Sequence, residues 1–410
     1  KARHRKMAWD LDDKITKSKG KFGEFKTQRV ILQVDSLAAQ IVLQNAIETK
    51  GGRIKNAHKR FGLITAEIPL NRLKELEADD SFVYISPDRE VTISGHLETT
   101  TAASQVRTVV NNTTLDGTGI GIAILDSGID SSHKLLGKTN GNRVVYSQDF
   151  TGDNIVGDTN GHGSHVASLA AGASAFASGA YAGVAPNANL INLRVLNDSG
   201  SGTASNIIAA MDWCIANKTT YNIRVINLSL GTTAVDSYQF DPLCLAARRA
   251  HDAGLVVVAA AGNEGKNAAG QKVYGQIHSP GIEPSVITVG AVNTFGTDVR
   301  SDDAITTYSS RGPTRSYYTD NAGVKHYDNL IKPDLVAPGN KLIGAQSANP
   351  RTTLLPNVRI QQNPTLDTLM TTDKPSKTMY MSGTSMAAPI VSGAVALLLQ
   401  AHPTLTPNLV

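Results

Sequence analysis

Four polar side chains in this sequence have types suited to nucleophilic catalysis: Asp126, His162, Asn263 and Ser385. A serine hydroxyl is a poor nucleophile at neutral pH unless a base such as histidine accepts its proton. A carboxylate can orient that histidine, and an amide N–H can stabilise the negative charge that develops on a carbonyl oxygen. These groups therefore suffice for hydrolysis of an acyl bond if the fold brings them together.

The local sequence places each of these side chains at the end or the beginning of a predicted element. Asp126 and Asn263 follow apolar strands. His162 and Ser385 instead lie where loops enter Ala-rich helical segments, and the glycines beside His162 leave its imidazole uncrowded. Structural roles fit the same positions, since Asp, Asn and Ser are common turn and N-cap residues. A metal pair of His162 with His165 lacks a nearby third ligand and is disfavoured.

Downstream of Gly119, apolar strands alternate with Ala-rich helical segments. Strands buried on both faces read as continuous apolar runs, so the sequence predicts an α/β fold with a mostly parallel sheet and helices on both faces. Active sites of such folds gather at the carboxyl ends of the strands. The predicted strands are Gly119–Leu125, Ala188–Val195, Val225–Leu230, Leu255–Ala261 and Val286–Val292, and the predicted helices are Val166–Ala173, Ala204–Ala216, Leu243–Ala253 and Ile390–His402.

The first quarter of the chain has a different pattern, which predicts a small ferredoxin-like α+β module over residues 29–96. Residues 1–28 are lysine-rich without periodicity and predict a flexible basic arm. The segment Gly95–Thr114 is rich in Thr, Ser and Asn and predicts a linker to the α/β domain, residues 97–410. The predicted strands are Arg29–Asp35, Arg53–His58, Phe61–Ile68 and Phe82–Ile93, and the predicted helices are Leu37–Lys50 and Asn71–Asp79.

The charge distribution argues against a polyanionic partner. The 410 residues carry a net charge of +4, and residues 1–96 contain 18 Lys and Arg against 13 Asp and Glu, so the remainder is close to neutral. Aromatic residues are not interleaved with the basic ones, as they commonly are in nucleic-acid-binding surfaces. No run of eighteen apolar residues and no collagen-like glycine period occurs. We therefore expect neither a nucleic-acid partner nor a membrane span.

Five short motifs, in the chain order Asp, His, Ser, resemble those of the subtilisin-like serine proteases: DSGID, GHGSHVA, NLSLG, AAAGNEG and GTSMAAP. The resemblance covers residues from about 29 to 410. It implies a serine endopeptidase in which Ser385 attacks the scissile carbonyl, His162 is the general base and Asp126 orients the histidine. It also implies an oxyanion hole formed by Asn263 and the Ser385 backbone N–H.

The resemblance further implies where a peptide substrate binds. An extended peptide would pair as an added strand between two glycine-containing edges. The pocket for its P1 side chain would be walled by Leu230 and Ala259–Gly262, with broad specificity and an apolar or bulky P1 residue. His278 is expected at the floor of this pocket and Glu264 at its rim. The implied substrate-binding residues are Gly200, Ser201, Gly202, Ser229, Leu230, Gly231, Ala260, Gly262, Glu264 and His278.

By the same resemblance, residues 29–96 form a propeptide that assists folding and inhibits the enzyme until self-cleavage between Ile93 and Glu98. We expect a secreted monomer whose signal peptide is absent from this chain and whose catalytic domain is truncated at its C-terminus. Two other functions are weaker. A nucleotide-binding protein fails because its glycine motifs are misplaced, and a silent, propeptide-capped binding protein fails to explain why no catalytic residue is missing.

Three further features allow alternatives. No cofactor is expected for catalysis, but structural calcium is possible, with Asp149, Asp153 and Asp158 as candidate ligands or as scattered surface carboxylates. The segment Lys341–Lys377 is a lid, a substrate-contacting loop or a surface insertion. Cys214 and Cys244 are either one disulfide or two buried free thiols.

Overall fold

A computed structural model describes residues 6–18, 26–34, 36–58, 62–77, 81–88, 97, 100–106, 114–138 and 141–410. The chain divides into two compact units, Lys1–Thr92 and Ile93–Val410. The predicted processing window from Ile93 to Glu98 lies outside the described residues except for Leu97, as does the end of the predicted strand after Asp88.

The first unit contains the predicted β-α-β-β-α-β order. In its antiparallel sheet the first strand along the chain pairs with both the third and the fourth, and the second pairs with the third. Buried aliphatic side chains such as Val30, Leu43 and Ile64 form one core beneath the sheet. Its elements are β1 (Thr27–Gln33), α2 (Leu37–Thr49), β2 (Arg53–His58), β3 (Leu63–Pro69), α3 (Leu70–Glu77) and β4 (Tyr84–Pro87).

The predicted flexible arm is wrong for residues 7–18, which include the helix α1 (Trp9–Ser18). Leu11 and Ile15 are buried in the same core as the sheet, and they are four residues apart, so they share one helix face. The Ala8 backbone N–H donates to the Ile85 carbonyl at 2.9 Å, which ties the start of the helix to β4. The abundant lysines concealed this short apolar stripe, because only one side of the helix is apolar.

The second unit is built on a mostly parallel sheet. The prediction of fold class is confirmed, with strand ends shifted by one or two residues. The strands of this sheet are β5 (Gly121–Asp126), β8 (Val144–Asp149), β9 (Asn189–Arg194), β10 (Ile223–Leu228), β12 (Val256–Ala260), β14 (Ile287–Asn293), β15 (Ala304–Ile305) and β18 (Leu335–Pro338). Seven of them lie side by side in the order β15-β14-β12-β10-β5-β9-β8, and β18 pairs with β14 outside this path.

Helices cover both faces of this sheet. Along β5, Ile122 and Ile124 belong to one core cluster while Ala123 and Leu125 belong to the other, as the alternation of side chains along a strand requires. The helices are α4 (Ala103–Val106), α5 (His162–Ala171), α6 (Ala204–Asn217), α7 (Pro242–Asp252), α8 (Val358–Gln362) and α9 (Thr384–Ala401). The short strands are β6 (Gly137–Lys138), β7 (Gly141–Asn142), β11 (Thr232–Thr233), β13 (His278–Ser279), β16 (Tyr317–Thr319), β17 (Lys325–Tyr327), β19 (Leu342–Ala345) and β20 (Thr378–Met381).

Helix α9 occupies the centre of the first of these cores. It packs against α5 and against several strands, and 72% of its length is buried, although its 18 residues are long and apolar enough to cross a membrane. Its burial identifies it as the core helix of the unit.

The predicted linker also differs in part from expectation, because Leu97 and Ala103 are buried in this core.

Candidate active site

Asp126 and His162 lie in direct contact at the carboxyl end of β5. The Nδ1 atom of His162 is 2.7 Å from Oδ1 of Asp126, and the two side chains are 9% and 1% exposed. A carboxylate can only accept, so Nδ1 carries the proton in this contact and Nε2 is left as the basic nitrogen. The same carboxylate oxygen accepts the Ser127 backbone N–H at 2.7 Å. The pair therefore has the tautomer and orientation of a general base.

A second buried carboxylate, Asp158, holds the backbone around His162. Its oxygens accept the N–H groups of Gly161 and Ser164 at 2.7 and 2.8 Å and the Ser127 hydroxyl at 2.8 Å. Burial raises the pKa of Asp158 to about 6, although these hydrogen bonds oppose the shift. Sequence reasoning placed Asp158 among the candidate cation ligands, and its role as a backbone anchor was missed.

Glycines allow the histidine helix to begin in this crowded place. Gly161 has a φ of 101°, and a Cβ at this position would lie 2.8 Å from the Asn357 side chain. A Cβ on Gly163 would lie 2.1 Å from the Gly128 carbonyl oxygen, which no side chain tolerates. The glycines on both sides of His162 are therefore required by close packing, and the imidazole remains accessible from the cavity.

Ser385 is the second residue of α9. Its backbone carbonyl accepts the Ser229 hydroxyl at 2.7 Å, and Ser229 accepts the side-chain amide of Asn227 at 3.0 Å. The Asn227 oxygen in turn accepts the Ser392 hydroxyl at 2.8 Å. This chain of hydrogen bonds joins β10 to two turns of α9 and fixes the start of the helix. The N–H groups of the first helical turn have no acceptor within the helix, so they can serve an external oxygen.

Asn263 is oriented by the same helix. Its Oδ1 accepts the Thr384 backbone N–H at 2.9 Å, and its Nδ2 lies 3.5 Å from the position that a Cβ on Gly383 would occupy. Because the amide oxygen is held by a donor, the nitrogen is the atom that faces away and can donate. Asn263 is exposed and lines the same cavity as Ser385.

The residues predicted to bind substrate surround a cavity of about 470 Å³ in the second unit. Most of the predicted residues line it, but Asp126 lies behind His162, and Glu264 is not in the lining. The predicted lining residues are His162, Gly200, Ser201, Gly202, Ser229, Leu230, Gly231, Ala260, Gly262, Asn263, His278 and Ser385. Those that sequence reasoning missed are Leu196, Ala204, Ile207, Thr232, Leu243, Arg359 and Thr384.

His278 and Glu264 form a pair beside the cavity, with Nε2 of His278 2.7 Å from Oε2 of Glu264. The same oxygen accepts the Asn263 backbone N–H at 2.9 Å. Gly262, with a φ of 103°, leaves room for both, because a Cβ there would lie within 2.9 Å of each side chain. Glu264 therefore supports the loop that carries Asn263, and it reaches the cavity through His278.

The three candidate calcium ligands do not fit a shared cation site. Asp149 and Asp153 pair with the fully buried guanidinium of Arg194, at 3.5 and 2.8 Å, and Asp198 joins them at 2.9 Å. Arg351 contacts Asp198 and Asp153 from the other side. Arginine therefore supplies the positive charge here. The view of these carboxylates as scattered surface groups is also wrong, since Asp158 is buried and the others form one cluster.

The structure resolves the alternatives for the two cysteines and excludes one of the three for the segment Lys341–Lys377. Cys214 and Cys244 are both free and buried, and burial raises the pKa of each thiol. The segment Lys341–Lys377 contributes Arg359 to the cavity lining, so it is not a remote surface insertion. Its central helix α8 pairs with the residues before His162, through the Val358 N–H to the Thr159 carbonyl at 2.9 Å.

The mostly parallel sheet and the similarity to known proteins identify a subtilisin-like serine protease. The profile of the Subtilase family of peptidases matches residues 117–410, and the chain belongs to this family. It is 35% identical to serine protease AprX of Bacillus subtilis (strain 168) over 95% of this chain and 83% of the relative. It is 31% identical to subtilisin E of the same strain over 88% of this chain and 77% of the relative. The solved structure of sphericase is similar, with a TM-score of 0.52 and 29% identity over 74% of this chain and 86% of that one.

Proposed function

We propose that the chain is a serine endopeptidase whose catalytic groups are Ser385, His162 and Asp126. The observation that carries the proposal is the 2.7 Å contact between His162 and Asp126 at one edge of the cavity that Ser385 also lines. The buried carboxylate presents the basic Nε2 nitrogen toward the cavity, because Nδ1 is engaged. This arrangement supports proton transfer from a serine hydroxyl, which an isolated histidine on a surface would not support as well.

In the proposed reaction, the Ser385 hydroxyl adds to the scissile carbonyl carbon while its proton passes to Nε2 of His162. Asp126 stabilises the imidazolium that forms. The carbonyl oxygen becomes negatively charged and accepts hydrogen bonds from Nδ2 of Asn263 and the Ser385 backbone N–H. His162 then returns the proton to the leaving amine, and water repeats the sequence on the acyl-enzyme to release the acid and regenerate the hydroxyl.

We further propose that an extended peptide lies between the edge Gly200–Gly202 and the edge Ser229–Gly231. Both edges line the cavity, and their glycines permit close backbone approach. The P1 side chain would enter between Leu230 and the segment 259–262, above His278. These walls are mainly apolar, which favours apolar or bulky P1 residues with broad specificity.

The first unit is proposed to be a propeptide that assists folding, inhibits the enzyme and is released by self-cleavage between Ile93 and Glu98. Its separation from the second unit after Thr92 is compatible with a cut in this window.

We also propose a secreted, monomeric enzyme that needs no cofactor for the chemistry, since the four side chains supply base, nucleophile and oxyanion donors. Protein substrates and its own propeptide are the proposed partners, without nucleic acid or membrane.

The decisive experiment compares the unaltered chain with Ser385→Ala. The unaltered chain should be cut in the window and should hydrolyse a chromogenic peptide with an apolar P1 residue. Ser385→Ala should remain one piece and inactive, while added active enzyme should still cut it in the window. A second variant, Asn263→Ala, should lower kcat by about 10²–10³, which is the effect of removing one such donor in subtilisin itself.

Two results would overturn the proposal. If the unaltered chain hydrolyses no peptide even after limited proteolysis of the first unit, the chain is a silent binding protein. If Ser385→Ala still processes itself, another residue is the nucleophile. Thr384→Ser provides a matched control, because it keeps the hydroxyl beside Gly262 and should remain active.

A further inference from the structure

Arg359 lies in the cavity wall beside the general base. It is the second residue of α8, and it binds Asn160 twice: its backbone N–H donates to the Asn160 carbonyl at 3.1 Å, and Nε donates to Oδ1 at 3.0 Å. Asn160 is two residues before His162, so the guanidinium is held next to the imidazole end of the cavity.

This guanidinium is not neutralised by any carboxylate of the described residues. Among the described residues, no carboxylate lies within 4.0 Å of it, and its hydrogen bond from Nε goes to a neutral amide. Arg351 on the same segment behaves differently, since it contacts Asp198 and Asp153. No described residue accepts a hydrogen bond from either Nη group of Arg359, which leaves both as donors for a ligand in the cavity.

The alternation of side chains along a strand identifies the substrate position that Arg359 faces. Successive residues of an extended peptide point to opposite sides. If the P1 side chain enters toward Leu230 and the segment 259–262, the P2 side chain points the other way. His162 and Arg359 are assigned to that side, because Arg359 binds Asn160, whose side-chain amide donates to the Asp198 carbonyl at 3.0 Å beside the edge Gly200–Gly202, away from the edge that carries Leu230.

We propose that Arg359 is a specificity-determining residue that favours Asp or Glu at P2. The inference rests on the proposed peptidase function and on the proposed binding mode. A P2 carboxylate would accept charge-assisted hydrogen bonds from the Nη groups, whereas a P2 lysine would meet a like charge. Because the cavity is open to solvent, we expect a preference of about fivefold in kcat/KM, and we expect it to shrink as salt is raised.

The test uses three p-nitroanilide peptides of the form Ala-Ala-X-Phe, in which X is Glu, Gln or Lys. For the mature unaltered enzyme, kcat/KM should fall in the order Glu, Gln, Lys, with about fivefold per step. Arg359→Gln should remove the difference between Glu and Gln, and Arg359→Glu should reverse the order. Arg315→Glu is the matched control, because Arg315 is exposed and bonds Asn329 away from the cavity; it should keep the order of the unaltered enzyme.

The outcomes separate this inference from the proposed function. If no peptide is hydrolysed by the unaltered enzyme, the proposed function fails. If all three peptides are hydrolysed with the same ratios by the unaltered enzyme and by both Arg359 variants, the inference is wrong. A charge preference that Arg359→Glu reverses at P1′ or P4, in peptides varied there, but not at P2, would also overturn it. If Arg359→Glu does not fold, the Glu-to-Gln ratio of Arg359→Gln decides.

Discussion

The buried guanidinium of Arg194 is predicted to hold the edge Gly200–Gly202 of the proposed substrate-binding cavity in place. Its side chain is 0% exposed, and Nη2 lies 2.8 Å from Asp153 and 2.9 Å from Asp198. Asp198 is two residues before Gly200, so this cluster anchors the loop that forms one side of the cavity. Arg194→Leu keeps apolar bulk but removes the charge, which leaves the clustered carboxylates facing one another. We expect the variant to be less stable and to bind peptides more weakly.

The expected loss follows from the exposures in the cluster. Removing one partner of a buried ion pair costs about 3–5 kcal/mol. Asp153 and Asp198 are 33% and 30% exposed, so water screens part of their repulsion, and Arg351 remains beside both. Asp149 is only 8% exposed and loses a cation at 3.5 Å. The free energy of unfolding should therefore fall by about 3 kcal/mol, near the lower end of that range.

The measurement belongs in a Ser385→Ala background, because digestion of unfolded chains would otherwise make the transition irreversible. Urea unfolding can be followed by tryptophan fluorescence, since Trp213 stacks on Tyr146 at 4.5 Å within the second unit. Arg224→Leu is the control, because Arg224 bonds only backbone carbonyls among the described residues. A loss below about 1 kcal/mol, or an equal loss in the control, would refute the reasoning.

Three further predictions concern buried titratable groups, again with Ser385→Ala as the parent. The pKa of Asp158 is raised from 3.8 to about 6 by burial, so its stabilising contribution is complete below pH 3.8 and is lost as the pH rises through 6. The free energy of unfolding of Asp158→Asn, measured in urea, should therefore fall more steeply than that of the parent as the pH is lowered from 6 to 4. The pKa of His165 is lowered from 6.5 to about 3 by burial, so its stabilising contribution is complete above pH 6.5 and is lost as the pH falls toward 3. In His165→Asn the free energy of unfolding should therefore fall less with acid than in the parent, or should rise. An unchanged slope against pH would contradict the buried, neutral state of His165. Cys214 and Cys244, both buried with raised pKa values, should not react with a thiol reagent in the folded protein and should both react after unfolding, whereas rapid labelling of the native state would exclude their burial.

Much of the second unit is predictable from sequence because its physical signals are local. The apolar run before Asp126 has no place except inside a sheet, and the carboxylate that ends it falls at the carboxyl edge, where parallel-sheet sites form. The glycines around His162 and the loop before Ser385 are likewise readable from neighbouring residues. These signals are sufficient to predict the fold and to bring His162 and Ser385 to one cavity, with Asp126 against His162.

The parts that sequence reasoning missed depend on long-range contacts. Arg359 meets Asn160 across 199 residues and comes from a segment without helical or strand periodicity. Arg194 ends a buried strand, and nothing near it in the sequence shows that Asp149 and Asp153 meet it. Helix α1 was missed for a different reason, since its buried residues Leu11 and Ile15 are outnumbered by lysines in the surrounding segment. The amino-acid composition describes the whole segment, whereas the packing of helix α1 depends only on the residues of one helix face.

Ser385, the proposed nucleophile, stands at the start of a helix that lies in the middle of the core, and this position would link the proposed activity to the completion of folding. The hydroxyl reaches its place only when α9 has packed against α5 and the sheet, while Asn263 and His162 arrive on separate segments. A molecule that is incompletely folded or thermally damaged would therefore be a substrate and not an enzyme. In a mixed population, folded molecules would degrade the unfolded ones. The activity that remains would then be proportional to the number of intact chains.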